Sequence, residues 1–491
     1  MLVKFLIAIT VIWILVIRWN NRHKRKLAEE LRNNLQSWPI VGHALLFLGS
    51  NEDRTNTLCK IGKECYRRGG STCFWLVNKL VVMFADAEDA EVILKTCLDK
   101  NDLNVKSLVG HGSIFAPVPI WRPRRKILAP HFNLKRIMNF MDVHSRQGRI
   151  LADTLKTSVG TGVVSLWDYT TAYTMDAIGE TILGTKLDAQ KHGNHPFPKA
   201  FLKFCELQAV RVIQPWLDND FLYKLLPCGS VYFSTCELMK NFVEQIINDV
   251  NTYWLEKNTT LYSSTQHRPK AMIESFIETA EYTEIEMREE TLVLVLAGTD
   301  TSAVGLSFMI LLLSRHQDVQ EKLYNELQEY YGDSNRPVSW NDLPQLKYLE
   351  AVTKESLRLY PPVPMISREV KRNTTLPSGR TLVPGVVVFV NIWAIHRNPQ
   401  YWGPDAEEFR PERFLEGELA HPAAYMPFSR GPRNCLGSQY ASMSMKTALI
   451  YLMRNYKFLA PPDNECKNLN VKFQLMLKHA DNFRVQIESR H

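Results

Sequence analysis

One short stretch near the end of the chain decides how the rest is interpreted: Pro427-Phe428-Ser429-Arg430-Gly431-Pro432-Arg433-Asn434-Cys435-Leu436-Gly437. It places Cys435 between two glycines, with an arginine and a phenylalanine shortly before it. A cysteine thiolate that binds a metal needs backbone N–H groups directed at its sulfur. Gly431 and Gly437 allow a tight turn and a close approach to the backbone. A single cysteine is more often a buried free thiol, so Cys435 alone leaves both interpretations open.

The composition is that of an ordinary globular protein. Of the 491 residues, 45% are hydrophobic and 22% are charged, and no linker or internal repeat divides them. These features favour one large domain with room for a deep core. The nine cysteines lack Cys-x-x-Cys spacing, which argues against a disulfide framework and a structural zinc site. The net charge of +8 suits an acidic membrane surface or partner protein and is too diffuse to indicate nucleic-acid binding.

The N-terminal segment has the features of a membrane anchor. Segment 2–19 is almost wholly apolar, and the basic cluster 22–26 follows it directly. A run of about 20 apolar residues is long enough to span a bilayer as a helix. The alternative is a secretory signal peptide, but the basic residues follow the apolar run and no small-residue cleavage site is visible. The basic cluster then keeps the remaining chain cytosolic, so the sequons at Asn258 and Asn373 would go unused.

A long helix is predicted from Thr283 to about Ser314. Thr283 and Glu286 have the spacing of a capping box, and the pattern that follows is strongly apolar. The middle of the helix, Ala297-Gly298-Thr299-Asp300-Thr301-Ser302, carries small and polar residues instead. Unpaired polar groups in a buried helix cost about 1–3 kcal/mol each. The pattern therefore indicates a helix kink, a satisfied core threonine or a functional site.

Two further helices carry charged residues at helical spacing. Trp121 and Arg125 are four residues apart and lie on one face of a basic helix, in which we expect Pro123 in the first turn. The remaining basic residues are expected on an exposed positive surface: Arg122, Arg124 and Lys126. Glu355 and Arg358, at i and i+3, pair on one face of a second helix. Other predicted elements are a strand segment over 73–84, a helix over 440–451, and strands 473–477 and 483–487, joined as a hairpin through 480–482.

Taken together, these motifs resemble one family along essentially the whole chain. The pattern Phe428-x-x-Gly431-x-Arg433-x-Cys435-x-Gly437 resembles the haem-thiolate loop of the cytochrome P450 monooxygenases. Segment 168–190 resembles the family 4 type branch, which contains fatty-acid ω-hydroxylases and many insect members. The implied fold is mainly α with small β-sheets (α+β), preceded by an N-terminal transmembrane anchor. The implied domains are the anchor at 1–20, a basic and proline-hinge linker at 21–45, and the haem-thiolate catalytic domain at 46–491.

The resemblance assigns a role to individual residues. Cys435 would be the thiolate ligand of the iron of haem b. The residues implied to bind the haem or shape its loop are Trp121, Arg125, Arg368, Arg433, Phe428, Gly431 and Gly437. Ala297 and Gly298 would line an oxygen-binding groove, and Asp300 and Thr301 would relay protons. A buried structural cluster supporting the cysteine loop would consist of Glu355, Arg358 and Arg413.

The implied activity is insertion of one oxygen atom of O2 into a lipophilic substrate: a fatty acid, another lipid or a xenobiotic. No nucleotide or flavin motif is present, so the implied electron donor is NADPH–cytochrome P450 reductase, with cytochrome b5 as a further partner. The implied location is the endoplasmic reticulum membrane, with the catalytic domain in the cytosol. Two alternatives are a P450-fold enzyme that rearranges hydroperoxides, which the intact Asp300-Thr301 pair disfavours, and a non-catalytic haem protein that sequesters apolar ligands.

One position departs from the branch pattern. Many ω-hydroxylases of this branch carry a glutamate immediately before the helix glycine, and that glutamate forms an ester to a haem methyl. Here the position is Ala297, whose methyl side chain has no nucleophile. Glu289 and Glu290 lie about two turns earlier along the helix, too far away to substitute. The sequence therefore predicts a haem bound without any covalent bond other than the ligation by Cys435.

Overall fold

The computed structural model describes residues 16, 19–31, 35–100, 105–191, 195–214, 217, 219–259, 269–462 and 469–490. The predicted anchor, segment 2–19, lies outside these residues except for positions 16 and 19. The proposed domain limits at 20 and 45 therefore stay predictions.

Helices account for most of the described chain. In chain order they are α1 (Arg22–Glu30), α2 (Asn51–Arg67), α3 (Ala87–Thr96), α4 (Lys106–Val109), α5 (Val118–Leu128), α6 (Leu134–Met138), α7 (Met141–Leu155), α8 (Leu166–Ile178), α9 (Pro196–Ile213), α10 (Asp220–Lys224), α11 (Pro227–Thr259), α12 (Met272–Thr279), α13 (Glu284–Arg315), α14 (Gln317–Tyr331), α15 (Lys347–Leu359), α16 (Ile392–Ile395), α17 (Pro399–Trp402) and α18 (Ser438–Asn455).

The strands are short and form small sheets. They are β1 (Ser71–Leu76), β2 (Lys79–Phe84), β3 (Val163–Ser165), β4 (Met365–Glu369), β5 (Thr374–Thr375), β6 (Thr381–Leu382), β7 (Val387–Asn391), β8 (Tyr456–Leu459), β9 (Val471–Gln474), β10 (Met476–His479) and β11 (Arg484–Ser489). The sheet orders are β1-β2-β7-β4, β3-β11-β8, β9-β10 and β5-β6. The predicted class, mainly α with small β-sheets, is confirmed.

The described residues divide into two compact units. Unit I contains the described parts of Met1–Asn101, with Pro364–Glu407 and Leu419–Asn434. Unit II contains the described parts of Asp102–Val363, Glu408–Glu418 and Cys435–His491. Both units draw on stretches that are far apart in the sequence, so each depends on long-range contacts.

The core of unit I is the four-stranded sheet. β1 and β2 form an antiparallel hairpin, with Ser71 opposite Phe84 at its open end. β2 then pairs with β7 in parallel, and β7 pairs with β4 in the antiparallel sense. The apolar run from Leu80 to Phe84 is wholly buried, as expected for an inner strand that is covered on both faces.

Unit II is organised around α13. The predicted capping box is present: the Glu286 N–H donates to the Thr283 hydroxyl at 3.3 Å, and the Thr283 N–H donates to the Glu286 carboxylate at 3.0 Å. α13 packs against α8, α11, α15 and α18. Within the described part of the chain it is the one helix long and apolar enough to cross a membrane, but 78% of its most apolar window is buried inside the protein. α13 is therefore a core helix.

The predicted C-terminal hairpin is wrong. The structure pairs Val471–Gln474 with Met476–His479, and the turn lies at Leu475, which has a φ of 53°. Strand Arg484–Ser489 belongs to another sheet, where it lies between β3 and β8. The prediction failed because the turn residues at 480–482 connect strands of two different sheets, while the true turn carries no glycine or asparagine.

The start of the basic helix was also predicted wrongly. α5 begins at Val118, so Pro123 lies in its interior and not in its first turn. Proline has no N–H to donate, so the carbonyl of Pro119, four residues earlier, receives no hydrogen bond from it.

Candidate active site

A narrow stripe of partly exposed residues interrupts the buried surface of α13. Between Glu290 and Ser314, every residue is buried except Leu294, Ala297, Gly298 and Thr301. These four positions follow the i, i+3, i+4, i+7 spacing of one helix face. We call them the groove face. A partly exposed face in the middle of a core helix requires open space beside it, which is what a bound cofactor or substrate needs.

Two groove-face residues have contacts that explain their type. The Thr301 hydroxyl donates to the carbonyl of Ala297 at 2.6 Å, so this polar side chain is satisfied within its own helix. A Cβ at Gly298 would lie 2.5 Å from Cδ1 of Ile178 on α8. Glycine at 298 therefore permits the close approach of α8 to α13.

Asp300 lies next to the groove face and is fully buried. Its carboxylate forms an ion pair with the ammonium group of Lys478 on β10, at 3.2 Å. Burial raises the pKa of Asp300, and the charge of Lys478 opposes that shift. Lys478 in turn lies 3.9 Å from the centre of the Trp167 ring. The sequence identified Asp300 but missed Lys478, whose only signal was a lysine within an apolar strand.

Cys435 is exposed and lies just before an α-helix. α18 has Gly437 as its N-cap, so the sulfur is close to the positive end of the helix dipole. Of the cysteines that the structure describes, only Cys228 is also exposed, and Cys59 is partly buried. Reactive or ligating cysteines need both accessibility and a positive environment, because the thiolate is the binding form.

The residues that precede Cys435 belong to unit I. Gly431 has a φ of 75°, and a Cβ there would lie 2.3 Å from the carbonyl oxygen of Leu94 on α3. Glycine is therefore required at 431, both for the turn and for the contact. Gly437 has a φ of −87°, which any residue adopts, so the turn does not require it. Phe428 is partly buried, and Arg433 is 5% exposed.

Arg368 is a buried cation with no ion pair among the described residues. It lies on β4 in unit I and is 1% exposed. One nitrogen donates to the carbonyl of Ser367 at 2.8 Å, and Nε has no hydrogen-bond partner. Burial lowers the pKa of Arg368 to about 10. A guanidinium group in this state is stabilised by an anionic ligand, so the site fits a carboxylate-bearing cofactor.

Trp121 and Arg125 lie on α5 as predicted. Trp121 is buried. Arg125 is partly buried, which lowers its pKa, and the nearby Cys435 partly offsets this shift. Unit II therefore brings Arg125 and Cys435 into the same neighbourhood.

Arg124 does not lie on the expected exposed surface. Its side chain is 7% exposed and forms ion pairs with three glutamates of α13, at 3.4, 3.0 and 3.2 Å: Glu286, Glu289 and Glu290. The prediction of an exposed Arg124 was wrong for two reasons. Helix periodicity places this residue on the buried side of α5, near Trp121. A local count of basic residues also does not show that its acidic partners lie on another helix.

The structure brings Glu355, Arg358 and Arg413 together. Arg358 donates two hydrogen bonds to Glu355, at 2.7 and 2.8 Å, and Arg413 donates one at 3.0 Å. The N–H of Arg410 also donates to this carboxylate, at 2.9 Å. Glu355 and Arg358 are fully buried. The cluster joins α15 to the segment 408–413 and so acts as an internal cross-link of unit II.

Comparison with known proteins gives a consistent result. The family model described as Cytochrome P450 matches residues 33–487. The chain is 29% identical to the human protein named Cytochrome P450 4V2, over 93% of this chain and 89% of that protein. It is 31% identical to Cytochrome P450 4d8 of Drosophila melanogaster, over 82% and 91%, and 28% identical to Cytochrome P450 4c21 of Blattella germanica, over 99% and 98%. The chain therefore belongs to the cytochrome P450 family, and it is a monooxygenase with a haem-thiolate cofactor.

Proposed function

We propose that this protein is a membrane-anchored monooxygenase that hydroxylates a long-chain lipophilic substrate of the fatty-acid type. The observation that carries the proposal is the groove face on α13, next to the buried acid Asp300. A helix face that is apolar except for the alcohol of Thr301, with one buried acid next to it, is suited to an apolar substrate whose oxidation consumes protons.

Haem b would be held by Cys435 as the iron ligand and by propionate contacts from four side chains: Trp121, Arg125, Arg368 and Arg433. When bound, the thiolate-ligated haem supplies the activation of dioxygen. The buried cation Arg368 supports this assignment, because a propionate provides the anion that it lacks. Gly431 would shape the loop, Gly437 would let the flat cofactor come close to the backbone, and Phe428 would exclude water from the sulfur.

The haem is proposed to have no ester bond to α13. Ala297 occupies the position from which a glutamate reaches the haem in many ω-hydroxylases of the branch, and a methyl group forms no ester. Acid–organic extraction followed by mass spectrometry of the protein tests this. All haem should partition into the organic phase, and haem remaining on the polypeptide would refute the proposal.

Proton delivery is proposed to run through Asp300 and Thr301. Thr301 lies on the groove face, where its hydroxyl donates to the carbonyl of Ala297 at 2.6 Å. Asp300 is buried next to it and faces Lys478. Burial favours the neutral form of Asp300, and Lys478 favours the charged form. A carboxyl placed between these opposing influences is suited to accept a proton and to pass it on.

The electron donor is proposed to be NADPH–cytochrome P450 reductase, with cytochrome b5 as a second donor. Their acidic surfaces would meet exposed basic residues of the cytosolic body, which include Arg122 and Lys126. The proposed location is the endoplasmic reticulum membrane, through an N-terminal anchor at 1–20.

A substrate screen tests the proposal directly. Purified protein is titrated with saturated and unsaturated fatty acids of increasing length, and a shift of the haem spectrum from low to high spin identifies the ligands. Each ligand is then incubated with reductase and NADPH. We expect a hydroxylated product with matched NADPH consumption, and less product with more peroxide in Thr301→Ala. Ligands that bind without any NADPH oxidation above the ligand-free rate would indicate a sequestering protein instead.

A further inference from the structure

A cluster of charges at the N-terminal part of α13 has no role in the chemistry described above. Its centre is Arg124 on α5, which forms ion pairs with Glu289 and Glu290 at 3.0 and 3.2 Å. Glu290 is fully buried, with 0% of its side chain accessible to solvent. A buried group of this kind is retained where it holds a particular arrangement of the chain in place.

The same side chains also bind the backbone of segment 110–113. Arg124 donates to the carbonyl of His111 at 2.6 Å, and the N–H of Ser113 donates to Glu290 at 2.8 Å. One buried ion pair therefore satisfies a carbonyl and an N–H that are two residues apart. We call Arg124, Glu289 and Glu290 the latch.

Two glycines allow segment 110–113 to lie directly on α13. Gly110 has a φ of 52°, and a Cβ there would overlap the Glu289 carboxylate. At Gly112, a Cβ would lie 2.3 Å from Cγ2 of Val293. The backbone of the segment is thus in close contact with two successive turns of the helix, and a small displacement of the segment breaks these contacts.

The helix face under the segment leads to the groove face. Glu289, Val293, Ala297 and Thr301 are spaced four residues apart, so each lies one turn further along α13 and about 40° round from the one before. Val293 is therefore a direct neighbour of Leu294 and Ala297 in the groove face. Segment 110–113 contacts Glu289 and Val293, and the groove face begins beside Val293, at Leu294. Ser113 and the two residues that follow it are partly exposed. Segment 110–113 therefore borders the N-terminal end of the groove face.

The charges of the latch are not balanced. The latch has one guanidinium group and two carboxylates, and Glu286 adds a third carboxylate beside Arg124. The second oxygen of Glu290 has no hydrogen-bond partner among the described residues. Well-packed apolar residues would hold two helices together without that penalty. The polar groups are needed because they bind the exposed backbone groups of segment 110–113, which apolar side chains cannot do.

We propose that the latch fixes segment 110–113 as the end wall of the substrate space, so that Arg124 and Glu290 are positioning residues that determine which substrate lengths are accepted. This inference rests on the proposed function, since it takes the groove face as the place where the substrate lies. The latch acts on substrate selection and leaves the ligation of the haem unchanged.

The test compares Arg124→Gln with Arg122→Gln in the full-length, haem-loaded protein. Both variants remove one positive charge from α5, but Arg122 is exposed. The probes are imidazole and dodecylimidazole, whose iron-bound heads are the same and whose tails differ in length. We expect Arg124→Gln to change the ratio of their dissociation constants by about tenfold, the effect of one lost buried contact. The affinity of Arg124→Gln for imidazole itself should stay at the wild-type value. The ratio of the two dissociation constants in Arg122→Gln should also stay at the wild-type value.

Hydrogen–deuterium exchange gives a second measurement. Amides of residues 110–116 should exchange faster in Arg124→Gln and in Glu290→Ala, and at the wild-type rate in Glu290→Gln, whose amide oxygen still accepts from Ser113. An unchanged probe ratio, with or without faster exchange, would overturn the proposal. If Arg124→Gln does not fold, the pair Glu290→Ala and Glu290→Gln carries the same comparison.

Failure of the latch is distinguishable from failure of the proposed function. The reduced carbon monoxide complex of each variant shows whether the haem-thiolate centre is intact. If wild-type protein binds fatty acids without a spin shift but its probe ratio responds to Arg124→Gln, the substrate proposal is wrong and the latch is retained. If substrates behave as proposed and the ratio does not respond, the latch is wrong.

Discussion

At the scale of single residues, the environment of a side chain decides its chemistry. Cys435 and Cys228 are both exposed cysteines at the N-terminal end of a helix, yet only Cys435 follows a glycine-and-arginine loop. Asp300 is a buried acid that is held by a single cation. In each case a common residue type acquires a function through one or two neighbours.

Replacing Cys435 tests the proposed ligation. In Cys435→Ser, the reduced carbon monoxide complex should lose the long-wavelength band that names the family, because a serine oxygen does not donate charge to iron as a thiolate does. Cys228→Ser is the matched control and should keep the band. Survival of the band in Cys435→Ser would rule out this residue as the ligand.

Replacing Lys478 tests the balance at Asp300. In Lys478→Met the opposing charge is gone, so the pKa of Asp300, already raised by burial, should rise further. The acid then stays protonated to higher pH, and the pH at which NADPH oxidation uncouples from product should move upward. Lys472→Met, on the neighbouring strand β9, should follow the wild-type profile. If wild type, Lys478→Met and Lys472→Met all show the same pH dependence of coupling between NADPH oxidation and product, Lys478 has no influence on proton delivery.

At the scale of elements, helices are held in place by buried polar groups that join distant parts of the chain. Glu355 joins α15 to segment 408–413, and Glu290 joins α13 to α5 and to segment 110–113. Since each group is buried, its loss or its change of charge affects the free energy of unfolding far more than a surface ion pair does.

Glu355→Gln should destabilise the protein by about 3–5 kcal/mol, because it leaves the buried guanidinium groups of Arg358 and Arg413 without their shared counter-charge. Denaturant titration followed by far-ultraviolet circular dichroism measures the loss. The exposed Glu418 provides the control, and Glu418→Gln should unfold at the wild-type midpoint. Equal midpoints for both variants would mean that the cluster contributes little to stability.

The pH dependence of stability should contain a contribution from Glu290. Burial raises its pKa from 4.5 to about 6, so the folded protein binds this proton more tightly than the unfolded chain does. The contribution is complete below pH 4.5 and is lost as the pH rises through about 6, which amounts to about 2 kcal/mol. Glu290→Gln has no titrating group at this position. Between pH 4.5 and about 6 its free energy of unfolding should therefore rise by about 2 kcal/mol relative to that of wild type. Glu284→Gln, at an exposed site, should show the same pH dependence of the free energy of unfolding as wild type. If Glu290→Gln shows that dependence as well, the assignment to Glu290 is contradicted.

How far the sequence predicted these elements depended on whether the signal was local. The pairing of Glu355 with Arg358 and the capping box at Thr283 follow from helix spacing alone, and both were predicted. Lys478 reaches Asp300 from a strand far along the chain, and Arg124 reaches its glutamates on another helix, so no spacing rule finds them. The turn at Leu475 was missed because a non-glycine residue in a left-handed conformation leaves no mark in the sequence.

At the scale of the whole molecule, the orientation at the membrane is still a proposal and has a direct test. If the anchor leaves the body in the cytosol, the sequons at Asn258 and the exposed Asn373 should carry no glycan in eukaryotic cells. Endoglycosidase treatment should then leave the electrophoretic mobility unchanged. A sequon engineered before Leu2 is the control and should be modified, because the N-terminus is predicted to be lumenal. A mobility shift in the wild-type protein would place the body in the lumen.

The parallel pairing of β2 with β7 has a consequence for synthesis in the cell. About 300 residues separate Phe84 from Val387, so one edge of β2 stays without its partner strand until β7 has left the ribosome. At ordinary translation rates the delay is roughly 15–60 s. During that time the hairpin of β1 and β2 presents an open, apolar edge, Leu80-Val81-Val82-Met83-Phe84, which is a template for pairing with another nascent chain. The yield of folded protein should therefore depend on chaperones that cover this edge until the ribosome has made most of the chain.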